Sequence, residues 1–308
     1  MNEKSRAFVK QLKLISKVFL RSPTYMFSLI ILLLYIIVAI AVILGFVPPL
    51  PPYKGGWEYM YQPPSWKEFP WYILGTDYTG RPLLLTIIYG IPKTLAVAFL
   101  AALITVSVGT VIGIVAGYLG GLVDEILSLV INVALTIPTY LLALILVVIL
   151  PPELKGNIVI MAAVLSITAW ASLARATRAQ TLALKRREFI DVAKTIGFSP
   201  LKIMFDDILR FMAPFIAMNL VLSAVGAIYG YTGLAFLGLM PMTPDNWGVQ
   251  IYMAIRGGGA LYSDKAILAL WAPIITIVLL QYALINIAKA MEEIFNPALR
   301  VYLLGEES

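Results

Sequence analysis

Cysteine and histidine are both absent from the 308 residues of the chain. Without thiols there is no disulfide, no cysteine nucleophile, no zinc–thiolate site and no Cys-held iron–sulfur cluster. Without imidazole the usual general base, the Ser-His hydrolase arrangement and the commonest metal ligand are gone as well. Charge is scarce: 13% of residues are Asp, Glu, Lys or Arg, where a soluble domain carries about 25%. Hydrophobic residues make up 60% and mean hydropathy is +0.89. A water-facing surface built from so few charges would be covered in apolar patches. The composition is that of an all-α integral membrane protein. Its net charge of +6 reads as the Lys/Arg excess of a cytoplasmic face, so no nucleic acid is expected as a partner. The phosphate-binding Gly-x-x-x-x-Gly-Lys-Ser/Thr signature is missing too, since Gly90-Ile91-Pro92-Lys93-Thr94 lacks its spacing.

What the chain does have is long apolar runs. Crossing a core ~30 Å thick takes about 20 such residues, and six runs qualify. The first spans 25–47 and ends at Pro48-Pro49-Leu50-Pro51-Pro52. It is too long for a cleaved signal and has no small-residue cleavage site, so a retained helix is expected. The second lies between Lys93 and Asp124, with its core from Leu95 to Gly117. The third lies between Glu125 and Glu153 and contains Pro138. The fourth runs from Ile158 to Ala174, the fifth lies within Phe211–Pro244, and the sixth is Ala266–Ala288. None contains an ionisable residue. An N-terminus inside puts 16 Lys/Arg in the cytoplasm against 7 outside, which predicts both termini cytoplasmic. The expected organisation is a cytoplasmic segment 1–24, helix 25–47, an external segment 48–94, a core 95–288 containing a cytoplasmic loop 175–210, and a cytoplasmic tail 289–308.

The loop 175–210 has a specific grammar. Arg186 to Ile196 holds neither Pro nor Gly and predicts a short helix with Phe189, Val192, Ala193 and Ile196 on one side. Gly197 is a C-terminal cap, Ser199 an N-cap and Pro200 a first helical residue. A second helix, Lys202 to Arg210, completes a helical elbow. From these residues alone two uses stay open. One is a basic segment resting on anionic lipid, helped by Lys185-Arg186-Arg187. The other is a knob that docks in the groove of a soluble partner.

Sequence order then adds a resemblance. Asp191-Val192-Ala193-x-x-x-Gly197 resembles the Glu-Ala-Ala-x-x-x-Gly loop of ATP-binding-cassette (ABC) importer permeases. Gly75-Thr76-Asp77-x-x-Gly80-Arg81, Gly117-Tyr118-Leu119-Gly120-Gly121 with Asp124, and Pro138 resemble segments of the C-type permease of the dipeptide/oligopeptide importers. So do Gly233–Leu239 with Pro244 and Trp247-Gly248, and the tail's Asn296-Pro297-Ala298-Leu299-Arg300. The chain departs from that pattern at Val192, at Pro82, at Pro92, and at Asp207–Phe211, where the family has a Pro.

The resemblance implies a type I importer permease (MetI-like) fold with six transmembrane helices in the cell membrane. It implies a coupling helix in which Glu188, Asp191, Ala193, Gly197, Ser199 and Pro200 contact an ATPase subunit. The implied partners are a second, B-type permease, one or two ABC ATPases, an extracytoplasmic binding protein and membrane lipid. No cofactor is expected in this chain; ATP and Mg would bind the ATPases, so the chain is not expected to be an enzyme.

Peptides are the implied cargo, with oligosaccharides the alternative; a bare metal ion is not expected, since no ligand cluster exists. Asn132, Thr136, Asn219 and Ser223 are candidates for the path, against the alternative of bonds between helices worth ~0.6 kcal/mol each. Phe236, Leu237, Gly238 and Trp247 are candidates for an external gate. Trp57, Trp66 and Trp71 suit an aromatic belt, or a contact with the binding protein. An ion-coupled carrier and an intramembrane hydrolase are the competing classes. Both are disfavoured because no charge or His lies inside a span.

Overall fold

The structure is a computed structural model that describes residues 16–53, 56–66, 69–262 and 264–295. Among the described residues the architecture is all-helical, and the one extended pairing is an isolated antiparallel bridge between Thr76 and Pro82. Four segments are long and apolar enough to cross a membrane. They are α1 (Pro23–Ile43), α2 (Leu83–Leu119), the continuous stretch Pro200–Phe236 and the stretch Asp264–Phe295. Two helix pairs reach that length only when taken together. These are α3 (Gly121–Thr136) with α4 (Thr139–Ile149), bent by 74°, and α5 (Ile158–Ser166) with α6 (Trp170–Leu184), bent by 56°. The remaining elements are short 3-10 turns at Trp57–Tyr59 and Asp264–Ala266, α7 (Glu188–Thr195), α8 (Pro200–Lys202), a π-helical turn Ile203–Ile208, α9 (Leu209–Phe236), α10 (Trp247–Arg256) and α11 (Ile267–Phe295).

Local chemistry explains the breaks. Pro138 forces Ile137 out of the helical region, to ψ 117°, and α4 restarts immediately after it. Asn157 caps α5, its side-chain oxygen accepting from the amides of Val159 at 2.9 Å and Ile160 at 3.2 Å. The sequence boundaries shift in two places. Helix α2 begins at Leu83, not Leu95, and runs through Pro92, so the expected junction at 94/95 falls inside it. Lys93 is a good helix former and sits within that helix, its ammonium 3.5 Å from Asp245. The run Ile158–Ala174 is not one straight helix, because the 56° bend falls between Ser166 and Trp170.

Packing centres on α2. Gly109, Gly113 and Gly117, one helical turn apart, face α6 so closely that a Cβ on each would lie 2.8, 2.5 and 2.7 Å from Trp170, Thr177 and Thr181. Lipid tails supply no hydrophobic drive for helix association, so such backbone contact is what van der Waals attraction can use. Elsewhere α11 is held to α9 by the Gln281 amide, which donates to Val225 O at 3.1 Å, and to α1 by the Tyr35 hydroxyl, which donates to Thr276 O at 2.6 Å. Leucine at position 113 would drive α2 off α6. Gly113→Leu is expected to cost about 1–3 kcal/mol or more, read as a lower melting temperature of the purified protein in detergent.

Candidate functional site

Two features stand out: the projecting elbow at residues 185–210 and a cavity deeper in the helices. Gly197 ends α7 at φ +89°, with its amide on Lys194 O at 2.9 Å and the Phe198 amide on Ala193 O at 3.0 Å. No atom lies within 4 Å of a Cβ built there, so the dihedral angle, not crowding, calls for glycine. Ser199 Oγ accepts from the Lys202 amide at 3.3 Å, and Pro200 opens α8 as the spacing predicts. Phe189 stacks on Phe211 at 4.4 Å, and Lys202 Nζ sits 3.7 Å over the Phe198 ring.

One face of the elbow is built in. Ile190 and Ala193 are buried among Ile203, Met204, Ile208 and Met212, and against Ile114 and Tyr118 at the end of α2. The other face is open and apolar: Val192 is 56% exposed, Ile196 66% and Leu201 66%. The expected single stripe is therefore split. Phe189 and Ala193 turn inward, whereas Val192 and Ile196, four residues apart, share the outer face. Glu188 lies in the first turn of α7, where the helix dipole favours a carboxylate. Asp191 also lies in that turn and pairs with Lys194 at 3.0 Å on an exposed surface.

The cavity measures about 650 Å³. Asn219, Ser223 and Gly226 of α9, Thr139 and Tyr140 of α4, and Ser172 of α6 line it, and no charged side chain does. Thr139 Oγ1 accepts from Thr168 Oγ1 at 2.9 Å, and Asn219 donates to Phe215 O at 2.8 Å. Asn132 and Thr136 lie outside it. The first accepts from Arg175 at 2.8 Å and the second donates to Val133 O at 2.7 Å. Both precede the 74° bend, which sends α3 on a different course from α4.

Residues 109–301, which include the glycine contact, the elbow and most of the cavity wall, match the family described as binding-protein-dependent transport system inner membrane component. The chain belongs to this family. Similar proteins include the di/tripeptide transport system permease protein DppC of Pseudomonas aeruginosa, 29% identical over 88% of this chain and 87% of its own. The dipeptide transport system permease protein DppC of Haemophilus influenzae is 35% identical over 71% and 74%. The oligopeptide transport system permease protein OppC of Mycobacterium tuberculosis is 28% identical over 77% and 79%. The chain is thus an inner-membrane transport component, and this family's members are not themselves enzymes.

At the opposite end of this transport component, the expected gate residues have unequal settings. Phe236 and Leu237 are half exposed at the end of α9, and Gly238 turns at φ +76° against the Tyr252 ring. Trp247 is fully buried: its indole donates to Ile87 O at 3.0 Å and meets Tyr35 edge-on at 6.4 Å. It is a pin between α10 and α2, made possible by Gly90, where a Cβ would lie 2.5 Å from the indole nitrogen. Trp57 and Trp66 are exposed, and Trp71 is partly so.

Gly75–Arg81, which carried only the resemblance, proves to be a built turn. Asp77 Oδ1 accepts from the Thr79 amide at 2.7 Å, the Thr79 hydroxyl at 2.6 Å and the Arg81 amide at 3.0 Å. The Asp-x-Thr spacing was the available signal, because an Asp at a turn bonds the backbone two residues on. Thr76 donates to Tyr59 O at 2.7 Å and ties the turn to the segment before it.

Burial pushes the Asp77 carboxyl above its usual range, against the hydrogen bonds from Thr79 and Arg81 that pull it down. A raised folded value means a contribution present below the unfolded value and lost as pH rises through the folded one. Asp77→Asn keeps an acceptor oxygen and is expected to remove the fall in stability that sets in as pH rises above the ordinary carboxylate range. Asp77→Ala strands the three donors and should cost about 1–3 kcal/mol, both read from melting temperature against pH.

Proposed function

We propose that the chain is the permease subunit of an ABC importer for di- and oligopeptides, forming half of the translocation path and receiving cargo from an extracytoplasmic binding protein. The names of its relatives support peptides as the cargo. In this reading each bent pair is one span, giving six with α1, α2, α8–α9 and α11. Both termini are cytoplasmic, in keeping with 16 Lys/Arg on that side against 7 on the other. A second homologous permease completes the path, and one or two ABC ATPases bind below it.

The observation that carries the reading is the outer face of the elbow. Val192, Ile196 and Leu201 form an exposed apolar ridge on a segment whose other face is buried in the same chain. Such a ridge suits a groove on a soluble partner. Glu188 and Asp191 flank it with negative charge, and Gly197, Ser199 and Pro200 fix its shape. Ala193 lies beneath, a small residue in the buried cluster that joins α7 to the π-helical turn and the end of α2. An ATPase closing on the ridge displaces α7, and α6 and α9, which enter and leave the elbow, tilt with it. The cavity between α4, α6 and α9 is thereby exposed to one side or the other, with Asn219 and Ser223 offering its hydrogen bonds.

Purification from the native membrane in mild detergent is expected to yield a second permease and one or two ATPases bearing the phosphate-binding loop. Recovery of the chain alone, or only with copies of itself, would end the importer reading. Within the assembled importer, Ile196→Asp should weaken ATPase retention about tenfold, or ~1.4 kcal/mol, with the melting temperature unchanged. Gly197→Pro cannot adopt φ +89°. It should abolish uptake while ATP hydrolysis continues, and normal uptake by this variant would refute coupling through the elbow.

A further inference from the structure

Glycine is the poorest helix former after proline, and inside helices it persists where a close neighbour or a left-handed φ demands it. Gly226, in the middle of α9, meets neither condition: its φ is outside that range, and a Cβ built on it would have no atom within 4 Å. Other glycines on the same helix differ. A Cβ at Gly230 would strike Leu165 at 2.7 Å, and one at Gly233 the Tyr140 hydroxyl at 2.7 Å. All the glycines of α2 and α10 likewise meet a neighbour closer than 3.0 Å. Packing within this chain gives no reason for glycine at 226.

The space in front of Gly226 is the uncharged cavity. Ser223, one turn away on the same wall, makes no hydrogen bond within the described residues, and the Asn219 side-chain oxygen is also unpartnered there. Free hydroxyl and amide groups beside an unfilled glycine suit a solute that carries its own amides. A seat for another helix would use the same small and polar residues, but here they face a cavity of about 650 Å³ walled by α4, α6 and α9 of the chain itself, room for a solute. We propose that Gly226 sets the width of the cargo passing through this cavity, its bare backbone leaving room for side chains while Ser223 and Asn219 bond the peptide groups. The inference rests on the peptide-importer reading.

The test uses the complete importer reconstituted in lipid vesicles, with dialanine and a pentapeptide bearing bulky aromatic side chains as cargo. Gly226→Leu is expected to reduce pentapeptide uptake at least about tenfold relative to dialanine uptake, with both permeases and the ATPases retained. Gly226→Ala should fall between wild type and Gly226→Leu. A Gly226→Leu effect equal for the two peptides, or no effect on either, would overturn the assignment. Loss of the second permease from the Gly226→Leu complex would overturn it in favour of a helix seat. Wild-type vesicles that take up neither peptide would instead bring down the peptide-importer reading itself, and the inference with it.

Discussion

The contact on which the rest of the fold depends is the bare-backbone crossing of α2 and α6. Three glycines at intervals of four residues put the α2 backbone against Trp170 O, Ala174 O and Arg178 O. Nothing larger than hydrogen fits, and within a bilayer close approach is the main source of helix attraction. The same crossing positions both functional features. Its far end, Ile114 and Tyr118, is the floor on which Ile190 and Ala193 of the elbow are seated. The Arg178 guanidinium forks onto the Asp124 carboxylate beside it, and Lys185 lies over the Tyr118 ring at 5.6 Å. Helices α2, α3, α6 and α7 are thus joined at one end by backbone contact, a bidentate ion pair and a buried cluster. In the proposed importer, a push on the elbow is therefore delivered to this joined group of helices.

The other end is pinned by different chemistry. Trp247 is clamped by Gly90, Ile87 and Tyr35, and Gly248 sits so near Thr232 O that a Cβ would be 2.3 Å away. The Asp77 turn holds the segment before α2 to the start of that helix, where the Leu83 amide donates to Gly75 O at 3.0 Å. Between these two tied ends lies the cavity, where α9 carries Gly226 with nothing against it. Rigid ends around a hollow middle are what a rocking element needs: the ends keep their contacts while the middle changes its exposure.

Much of this was legible in the sequence, and the failures share one cause. Hydropathy marked all the apolar runs, and the caps at Gly197, Ser199 and Pro200 were readable because each depends on one residue's own backbone preference. Bends and facing are not local properties. Lys93 marks the edge of an uncharged run, whereas the helix that carries it begins ten residues earlier, at Leu83. Val192 and Ile196 were grouped with Phe189 and Ala193 because all four are apolar; only the positions of the π-helical turn, α9 and the end of α2 decide which of them is covered. Asn132 and Thr136 resemble Asn219 and Ser223 in type, and which of them line one cavity depends on the bend at Pro138, which no local pattern shows. The packing role of Gly109, Gly113 and Gly117 drew no notice in the sequence, because only geometry shows that they pack against Trp170, Thr177 and Thr181.

Charge placement links the composition to the mechanism. A proton-coupled carrier commonly keeps ionisable groups within the bilayer as a relay, despite a cost of at least ~2.5–3.5 kcal/mol for each. The cavity here is lined by hydroxyls, one amide and apolar groups, with no carboxylate or ammonium to serve as such a relay. In the proposed importer, work enters from outside the spans, and the elbow is the surface proposed to receive it. The same absence sets how cargo is held. Neutral hydrogen-bonding groups bind a peptide weakly and with little regard for its side-chain charges, and weak binding is what allows a solute to leave a path as readily as it entered. In the proposed importer, selectivity therefore falls to the binding protein and to the width of the cavity, and direction falls to the ATPases pressing on the elbow.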